Sequence, residues 1–278
     1  MELTITQKQR LAELGAEPDA LSALFDSAAA RDAAFRLAEQ ALAKQNRERL
    51  DELLSRKRLT DAQIMEDSLS RWLTGEMGFT RVSSPVIIPK AMLEKMTITE
   101  GEGLFEQVFG VGGGKYLRPM LAPNLYVIMD ALHKLTGGPV RIFECGPCFR
   151  RETSGARHMN EFTMLNMVAF NDVPEGGQMD ALWAFARGAM EAAGLKDYET
   201  AEVKSAVYGS TLDIVAGGVE VASGAFGPHP LDGNFGIFGT WAGIGFGIER
   251  LVMAKNGWGN IRRAGRSTVY LDGSRLNL

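Results

Sequence analysis

The sequence predicts an α+β fold: an antiparallel β-sheet flanked by helices, with a helical appendage at the amino terminus. Three observations carry this expectation. Residues 5 to 58 are rich in Ala, Leu, Arg and Glu and contain a single glycine, a composition suited to helices. Strand-like runs dominate the rest and meet only a few helical segments, an order that gives segregated helices and an antiparallel sheet rather than alternating βα units. No internal repeat or low-complexity linker breaks the pattern, so the chain divides into an appendage, 1–58, and a core, 59–278.

The elements follow in order. Two or three helices fill the appendage. "TDAQ" at 60 to 63 is a capping-box pattern, after which Met65, Leu69, Trp72, Leu73 and Glu76 share one helical face until Gly75 and Gly78 weaken the end. "FTRVSSPVII" has the β-branched character of a strand, interrupted by Pro85, which lacks an N–H and belongs at an edge or boundary. "LFEQVFGVGGGKYLRPM" reads as a hairpin around Gly112 to Gly114, and "APNLYVIMDALHKL" as a helix with Leu125, Met129 and Leu132 inward. "PVRIFECGPCF" and "EFTMLNMVAF" are strands joined by the polar loop "RRETSGARHMN". A helix from about Glu175 to Ala193 precedes the strands "SAVYG", "TLDIVAGG" and "VEVASGAFG", and "WAGIGFGIERLVMAK" turns from a glycine-rich strand into a helix.

Composition excludes several classes. With 45% hydrophobic and 23% charged residues the chain is an ordinary globular protein. "MELTITQKQRLAELG" has neither a long apolar core nor a small-residue cleavage site. The longest uncharged run, Gly233 to Ile248, holds six glycines and falls short of the ~20 apolar residues that a spanning helix needs. A cytoplasmic location with no membrane partner is expected. The net charge of −4 argues against a generally basic nucleic-acid binder, but Lys44, Arg47, Arg49 and the run "RKR" at 56 to 58 concentrate positive charge, as do Lys255, Arg262, Arg263, Arg266 and Arg275 near the carboxyl end. Charge alone leaves a solvated face and a nucleic-acid contact equally open.

Cys145 and Cys148, the only cysteines, form the dithiol string C-G-P-C. A thioredoxin-type pair sits at a helix N-terminus, which lowers the thiol pKa; here Phe149, two arginines and a turn follow instead. A zinc site with His158 or His229 fits no common ligand spacing. The cysteines are expected to be strand residues beside other chemistry. Arg150 and Glu152 lie two apart, His158 across the loop and Phe162 on the returning strand. A guanidinium for an α-phosphate, an imidazole for outer phosphates and an aromatic face for a base would make a nucleotide site; a surface hairpin with scattered charge is the alternative. Glycines 243, 245 and 247 in "GIGFGIER" allow close approach of a ligand or backbone, with Glu249 and Arg250 next on a helix. The string fails G-x-G-x-x-G because position 248 is Ile, so a Rossmann site is unsupported and Arg250 becomes the candidate phosphate contact.

The Pro85 helix–strand unit, the "FRRE…H…F" hairpin and the "GFGIERL" strand–helix resemble, in order, the three motifs of class II aminoacyl-tRNA synthetases. "MTITEGEGLF", "LRPMLAPNLY", "IFECGPCFRRE", "EFTMLN", "VYGSTLDI" and "GFGIERL" are similar to the pyrrolysyl-tRNA synthetase family over residues 60 to 278, and "RDAAF" extends the likeness into the appendage. The resemblance implies a class II synthetase-like antiparallel sheet, a homodimer through the first motif, and use of ATP and Mg²⁺ to form an aminoacyl-adenylate and charge a tRNA. It implies that Arg150 and Arg250 are catalytic. Arg150 would hold the α-phosphate, Glu152 and Phe162 the adenine, and His158 and Arg250 the β- and γ-phosphates, with Glu220 and Ser223 as magnesium ligands. Ala122, Leu125, Tyr126, Met129, Asn166, Met167, Val168, Ala225 and Trp241 match substrate-pocket positions, with Tyr208 as a cap.

That wall is almost wholly apolar, with Asn166 its one fixed amide, and suits a long, weakly polar side chain carrying a carbonyl. Pyrrolysine, an ε-N-acylated lysine, has that shape, and the implied activity is its ligation to the pyrrolysine tRNA for UAG decoding. Val168 stands where cysteine is common in the family, Ala225 where valine occurs, Gly224 where alanine is usual and Asn160 where glutamate is frequent, which leads us to expect an enlarged pocket. The rivals are a phenylalanyl- or phosphoseryl-type relative and a non-catalytic, synthetase-like RNA-binding protein. Family members often carry, or work with, a separate small tRNA-binding domain; nothing here resembles it, so a stand-alone short form and a partner protein in trans both stay open.

Overall fold

The computed structural model describes residues 1–151, 155–205 and 207–278. The chain divides into two compact units, one of Met1–Ala62 with Arg262–Leu278 and one of Gln63–Ile261. No helix among the described residues is long and apolar enough to cross a membrane.

In the first unit, α1 (Ile5–Leu14) opens with a capping box between Thr4 and Gln7 and ends at Gly15 with φ +95°. A single turn, α2 (Pro18–Leu21), leads to the long α3 (Ala28–Arg56), capped by Ser27. The helices number three, within the expected two or three. The carboxyl-terminal residues, assigned to the core from sequence, belong to this unit instead. They form a small hairpin, Tyr270–Leu271 with Ser274–Arg275. Buried Asn46 on α3 explains the association: its amide donates to the Leu14 and Leu42 carbonyls at 3.0 and 2.8 Å, and its oxygen accepts the Arg275 N–H at 2.7 Å. Arg58 meets Asp272 at 2.6 Å in the same unit. At Gly15 an added Cβ would lie 2.6 Å from the Arg263 guanidinium, so the absent side chain admits Arg263.

The second unit begins within α4 (Asp61–Gly75), which buries Met65, Leu69, Trp72 and Leu73 as its periodicity requires; Glu76 lies just beyond the helix and is exposed. Pro85 splits the following extended segment into β1 (Thr80–Arg81) and β2 (Ile87–Pro89). Short helices α5 (Lys90–Lys95) and α6 (Gly103–Glu106) precede the hairpin of β3 (Gly110–Gly112) and β4 (Lys115–Leu117), where Gly112, Gly113 and Gly114 all take positive φ. Helix α7 (Ala122–Thr136) buries Leu125, Tyr126 and Met129 and packs Leu132 partly inward. Then come β5 (Val140–Phe149), β6 (Glu161–Phe170), α8 (Gln178–Ala193), β7 (Glu199–Ser205), β8 (Gly209–Ala216), β9 (Val219–Gly227), β10 (Trp241–Gly247) and α9 (Ile248–Lys255). Of "SAVYG", expected as a strand, Ser205 ends β7, Gly209 opens β8 and Val207 and Tyr208 lie in a turn; the strand before it is "ETAEVKS", whose charges at 199, 202 and 204 mask its character.

The strands form one seven-stranded sheet in the order β1-β5-β6-β10-β9-β8-β7, antiparallel except for β1 beside β5. Its two faces do different work. One face lies under α7, where Ile142, Val168, Phe170, Ala225 and Trp241 join Leu125, Tyr126 and Met129 in the main apolar cluster. The other packs against α8, and α8 meets α4 so closely that a Cβ at Gly188 would sit 2.5 Å from the Trp72 ring.

Cys145 and Cys148 both lie on β5. Three positions apart on an extended strand, their side chains point to opposite faces and their Cα atoms stand about 10 Å apart, beyond the ~7 Å limit for a disulfide. Burial pushes both thiols up, Cys148 to about 12, the reverse of what a redox pair needs.

Candidate active site

Directly opposed residues of antiparallel strands share a face, so the register lays out the site in rows. Glu144, Asn166, Gly245, Ser223 and Asp213 form one row across β5, β6, β10, β9 and β8. Ile142, Val168, Gly243 and Ala225 form the next. With α7 above, these rows floor a cavity of about 360 Å³. The glycines keep it open: a Cβ at Gly245 would lie 2.8 Å from the Asn166 amide atoms, and one at Gly243 would lie 2.9 Å from the Met167 carbonyl oxygen. The expected close approach at these glycines is therefore by neighbouring protein groups as well as by any ligand.

The same alternation shows how two of the expected positions border the cavity. Met167 lies between Asn166 and Val168, so its buried side chain is on the α8 face and its carbonyl edge is what approaches Gly243. Gly224 also faces away: a Cβ there would meet Leu182 of α8 at 3.2 Å. Met167 and Gly224 thus border the cavity through their main chain, so the missing Gly224 side chain adds no room there, whereas Val168 and Ala225 lie in a row that faces it.

At one end the cavity is polar. Arg150 follows β5, donates Nε–H to the Pro119 carbonyl at 2.9 Å, and carries its guanidinium 5.3 Å from the centre of the Phe162 ring. Arg250, in the first turn of α9, donates to the Glu220 carbonyl at 2.9 Å and reaches the Glu220 carboxylate at 3.5 Å. Exposed His158 and Arg157 line the mouth. Glu152 lies outside the described residues. Glu220 and Ser223, three apart, would point to opposite faces of a regular strand. A bulge in β9 changes this: Ile214 opposes Ala222 while Val215 opposes Glu220, so Val221 is an extra residue and the parity shifts by one. Glu220 and Ser223 thereby share the cavity face, and Asp213 accepts the Ser223 hydroxyl at 2.6 Å. The Glu220 side chain is 50% exposed, yet desolvation raises its pKa despite Arg250, which lowers it.

The other end is apolar and aromatic. Ala122, Leu125, Tyr126 and Met129 line it from successive turns of α7. Val168, Ala225, Trp241 and Tyr208 complete the wall, Tyr208 meeting Trp241 edge-on at 6.0 Å. Asn166 Oδ1 is buried here without a hydrogen-bond partner.

Sequence reasoning missed the group beneath this wall. Arg118, 1% exposed, donates from Nη1 to Glu144 at 2.6 Å and to the Ser84 hydroxyl at 3.0 Å, and from Nε to the Pro147 carbonyl at 2.9 Å. Ser84 in turn donates to Glu144, and Asn124 of α7 donates to Ser84 Oγ at 2.7 Å and to the Pro85 carbonyl at 2.9 Å. A Cβ at Gly146 would lie 2.5 Å from the guanidinium, so "CGPC" needs its glycine for Arg118. The one signal available was Glu144, an acid between apolar residues in the middle of β5. Glu249 was read only as a helix residue; its carboxylate accepts the Thr163 N–H at 2.9 Å and ties α9 to β6.

Residues 113–270 match the family model of the tRNA synthetases class II core domain (F). The fold and site thus define a class II aminoacyl-tRNA synthetase, an ATP-dependent ligase that takes an amino acid and a tRNA. Over 100% of its length the chain is 44% identical to the pyrrolysyl-tRNA synthetase of Desulfitobacterium hafniense, covering 99% of that chain with a TM-score of 0.93. A second structure from that organism, PylSc, a pyrrolysyl-tRNA synthetase, is matched at 44% identity over 100% of this chain and 98% of that one, with a TM-score of 0.92. The chain belongs to the pyrrolysyl-tRNA synthetase family.

Two predictions test this geometry. Arg118→Ala leaves the Glu144 carboxylate buried without its cation and should lower stability by about 3–5 kcal/mol, read as a fall in the urea midpoint. Glu220→Gln tests desolvation. A carboxyl whose native pKa is raised holds its proton more tightly folded than unfolded, so the stability it contributes is present at low pH and is lost as pH rises through the native pKa. The glutamine cannot ionise, so the variant should gain stability over the parent at pH 8 but not at pH 3; equal differences at both would mean that the native pKa is not raised.

Proposed function

We propose that this enzyme activates L-pyrrolysine, or a similar ε-N-acyl-lysine, with ATP and ligates it to the pyrrolysine tRNA for UAG decoding. The observation that carries this reading is the unpartnered Asn166 oxygen buried in an otherwise apolar, aromatic chamber. A buried amide without a partner is unfavourable by roughly 1–3 kcal/mol. An acylated ε-amine can donate its N–H to that oxygen, and its carbonyl can accept from the Asn166 amide. Free lysine would bring an ammonium into an apolar slot, where desolvation opposes it. Phosphoserine would need cations at this end, whereas among the described lining residues Arg150, Arg157, His158 and Arg250 are grouped at the polar mouth.

In the activation step the substrate carboxylate attacks the α-phosphorus of ATP, the bond to the bridging oxygen breaks, and pyrophosphate leaves with that electron pair. No side-chain base is required, so the protein's part is alignment and neutralisation of charge. Arg150 is the α-phosphate ligand in this reading, Phe162 and Glu152 receive the adenine, and His158 and Arg250 hold the outer phosphates. Glu220 and Ser223 are hard oxygen donors on one face, the Ser223 proton is directed to Asp213, and the pair fits Mg²⁺. The ion would spread the negative charge of the triphosphate.

Amino-acid-dependent pyrophosphate exchange tests the proposal. The parent should respond to pyrrolysine or a carbamate-bearing lysine and not to lysine. Asn166→Ala should weaken that response about 5- to 150-fold while admitting bulky aromatic amino acids; equal loss on both substrate types would assign Asn166 to the fold. We also propose that the basic residues of α3 and the run Arg56–Arg58 grip the body of the tRNA and leave the anticodon unread. Binding should then weaken steeply with salt, and charging should survive anticodon changes. Collapse of charging when only anticodon bases are altered would end that account.

A further inference from the structure

Asp232 lies outside the cavity wall, in the 3₁₀ turn Pro230–Phe235, and is 1% exposed. Three donors converge on its carboxylate from three parts of the fold. Tyr126 of α7 donates its hydroxyl at 2.8 Å, Trp241 of β10 its indole N–H at 2.8 Å, and His229 its main-chain N–H at 2.7 Å. The turn is itself fixed, since the Asp232 N–H donates to the His229 carbonyl at 2.9 Å and its carbonyl accepts from Ile237 at 3.1 Å. Sequence position gives no hint of this convergence.

The surroundings are shaped to the carboxylate. Gly227 opposes Trp241 across the sheet, and a Cβ there would lie 1.9 Å from the indole nitrogen and 2.5 Å from Asp232 Oδ2. Tyr126 stacks on Phe235 of the same turn at 4.5 Å and meets Trp241 edge-on at 5.6 Å. Tyr208 is hydrogen-bonded to Tyr126, so the cap is coupled to the same anchor. Desolvation raises the Tyr126 hydroxyl far above the ordinary tyrosine range, with Asp232 adding to the effect, so it stays a neutral donor.

We propose that Asp232 is a positioning residue that sets amino-acid specificity by holding Tyr126 and Trp241, and Tyr208 through Tyr126, as one rigid aromatic wall. The proposal rests on the reading above, in which the amino-acid side chain occupies this end of the cavity. An aromatic ring pinned at its polar edge cannot swing aside for a bulkier guest, and it presents a fixed surface to the right one. Ionised aspartate is acceptor-only and can serve all three donors. Asparagine must turn its NH₂ to one side; the Tyr126 hydroxyl can rotate to accept it, but the indole and main-chain N–H groups cannot.

The test is pyrophosphate exchange by parent, Asp232→Asn and Asp232→Ala over a panel of ε-N-acyl-lysines and bulky aromatic amino acids. For Asp232→Ala we expect KM for acyl-lysine to rise about 10-fold or more, KM for ATP to stay within about 2-fold, and the preference for acyl-lysine over aromatics to fall at least about 10-fold. Asp232→Asn, which keeps shape and volume and can keep its oxygen toward the indole, should fall in between and serves if the alanine variant does not fold. Equal loss across all amino acids, or a matching rise in KM for ATP, would overturn the proposal and leave Asp232 a support of the fold. Failure of the substrate reading shows separately, as a parent that does not activate acyl-lysine. The preference is then taken between the parent's best amino acid and a bulkier analogue, and uniform loss still overturns the role of Asp232.

Discussion

A guanidinium and a carboxylate, Arg118 and Glu144, meet at 2.6 Å almost wholly out of water, and the walls of the active site hang on that contact. Desolvating two charges is expensive, and the expense is offset only when geometry and further hydrogen bonds satisfy both ions. Here Ser84, the Pro147 carbonyl and, through Ser84, Asn124 do so. Each of these groups belongs to a different segment. The pair therefore joins the extended segment around Pro85, the start of α7, the residues after β4 and strand β5. Because the Arg118 carbonyl also accepts the Phe149 N–H at 3.0 Å, and Pro119 accepts from Arg150, the same buried ion settles where the first arginine of the mouth begins. A hydrophobic replacement could match such a pair in stability, but it would lack the directional hydrogen bonds that hold four segments in one arrangement.

The cavity built on this frame separates two kinds of chemistry along the strands. Toward the end of β5 and the start of α9 the side chains are cationic or oxygen-bearing, suited to a triphosphate. Toward Trp241 they are apolar, suited to an uncharged side chain. Glycines at alternate positions of β10 make room where the two halves meet, over Asn166. The β9 bulge serves the polar half by turning Glu220 to the same face as Ser223. Desolvation raises the pKa of Glu220 there, while Arg250 beside it acts in the opposite direction.

The apolar half rests on a second buried carboxylate. Asp232 and the pair Arg118–Glu144 show one rule: a polar group with its hydrogen-bonding capacity met inside the protein orients apolar or aromatic neighbours better than packing alone, since hydrogen bonds are directional and dispersion is not. Tyr126 belongs to α7, whose first turn is tied down by Asn124, and its hydroxyl is tied by Asp232. One helix thus carries one anchor for the frame and one for the aromatic wall of the cavity.

Much of the fold and many of the candidate residues were legible in the sequence, for a local reason. The periodicity of α4 and α7, the glycine hairpin at 112 to 114 and the strand-to-helix turn at Gly247 depend on residues within a few positions of one another. The strings shared with the family then marked Arg150, Phe162, Asn166, Tyr126, Trp241 and Arg250, all of which line one cavity. What stayed hidden was set by partners far apart in the chain: Tyr126 and Asp232 by 106 positions, Asn46 and Arg275 by 229. Parity was hidden too. A single extra residue at Val221 turns Glu220 toward the cavity, and simple alternation leaves Met167 and Gly224 only their main chain along it. Sequence by itself determined which residues are present and the local period each segment prefers, because those follow from side-chain shape and near neighbours. Tertiary structure alone decided which face each strand shows and which buried charges meet, because register and ion pairing are fixed only when distant segments leave water together.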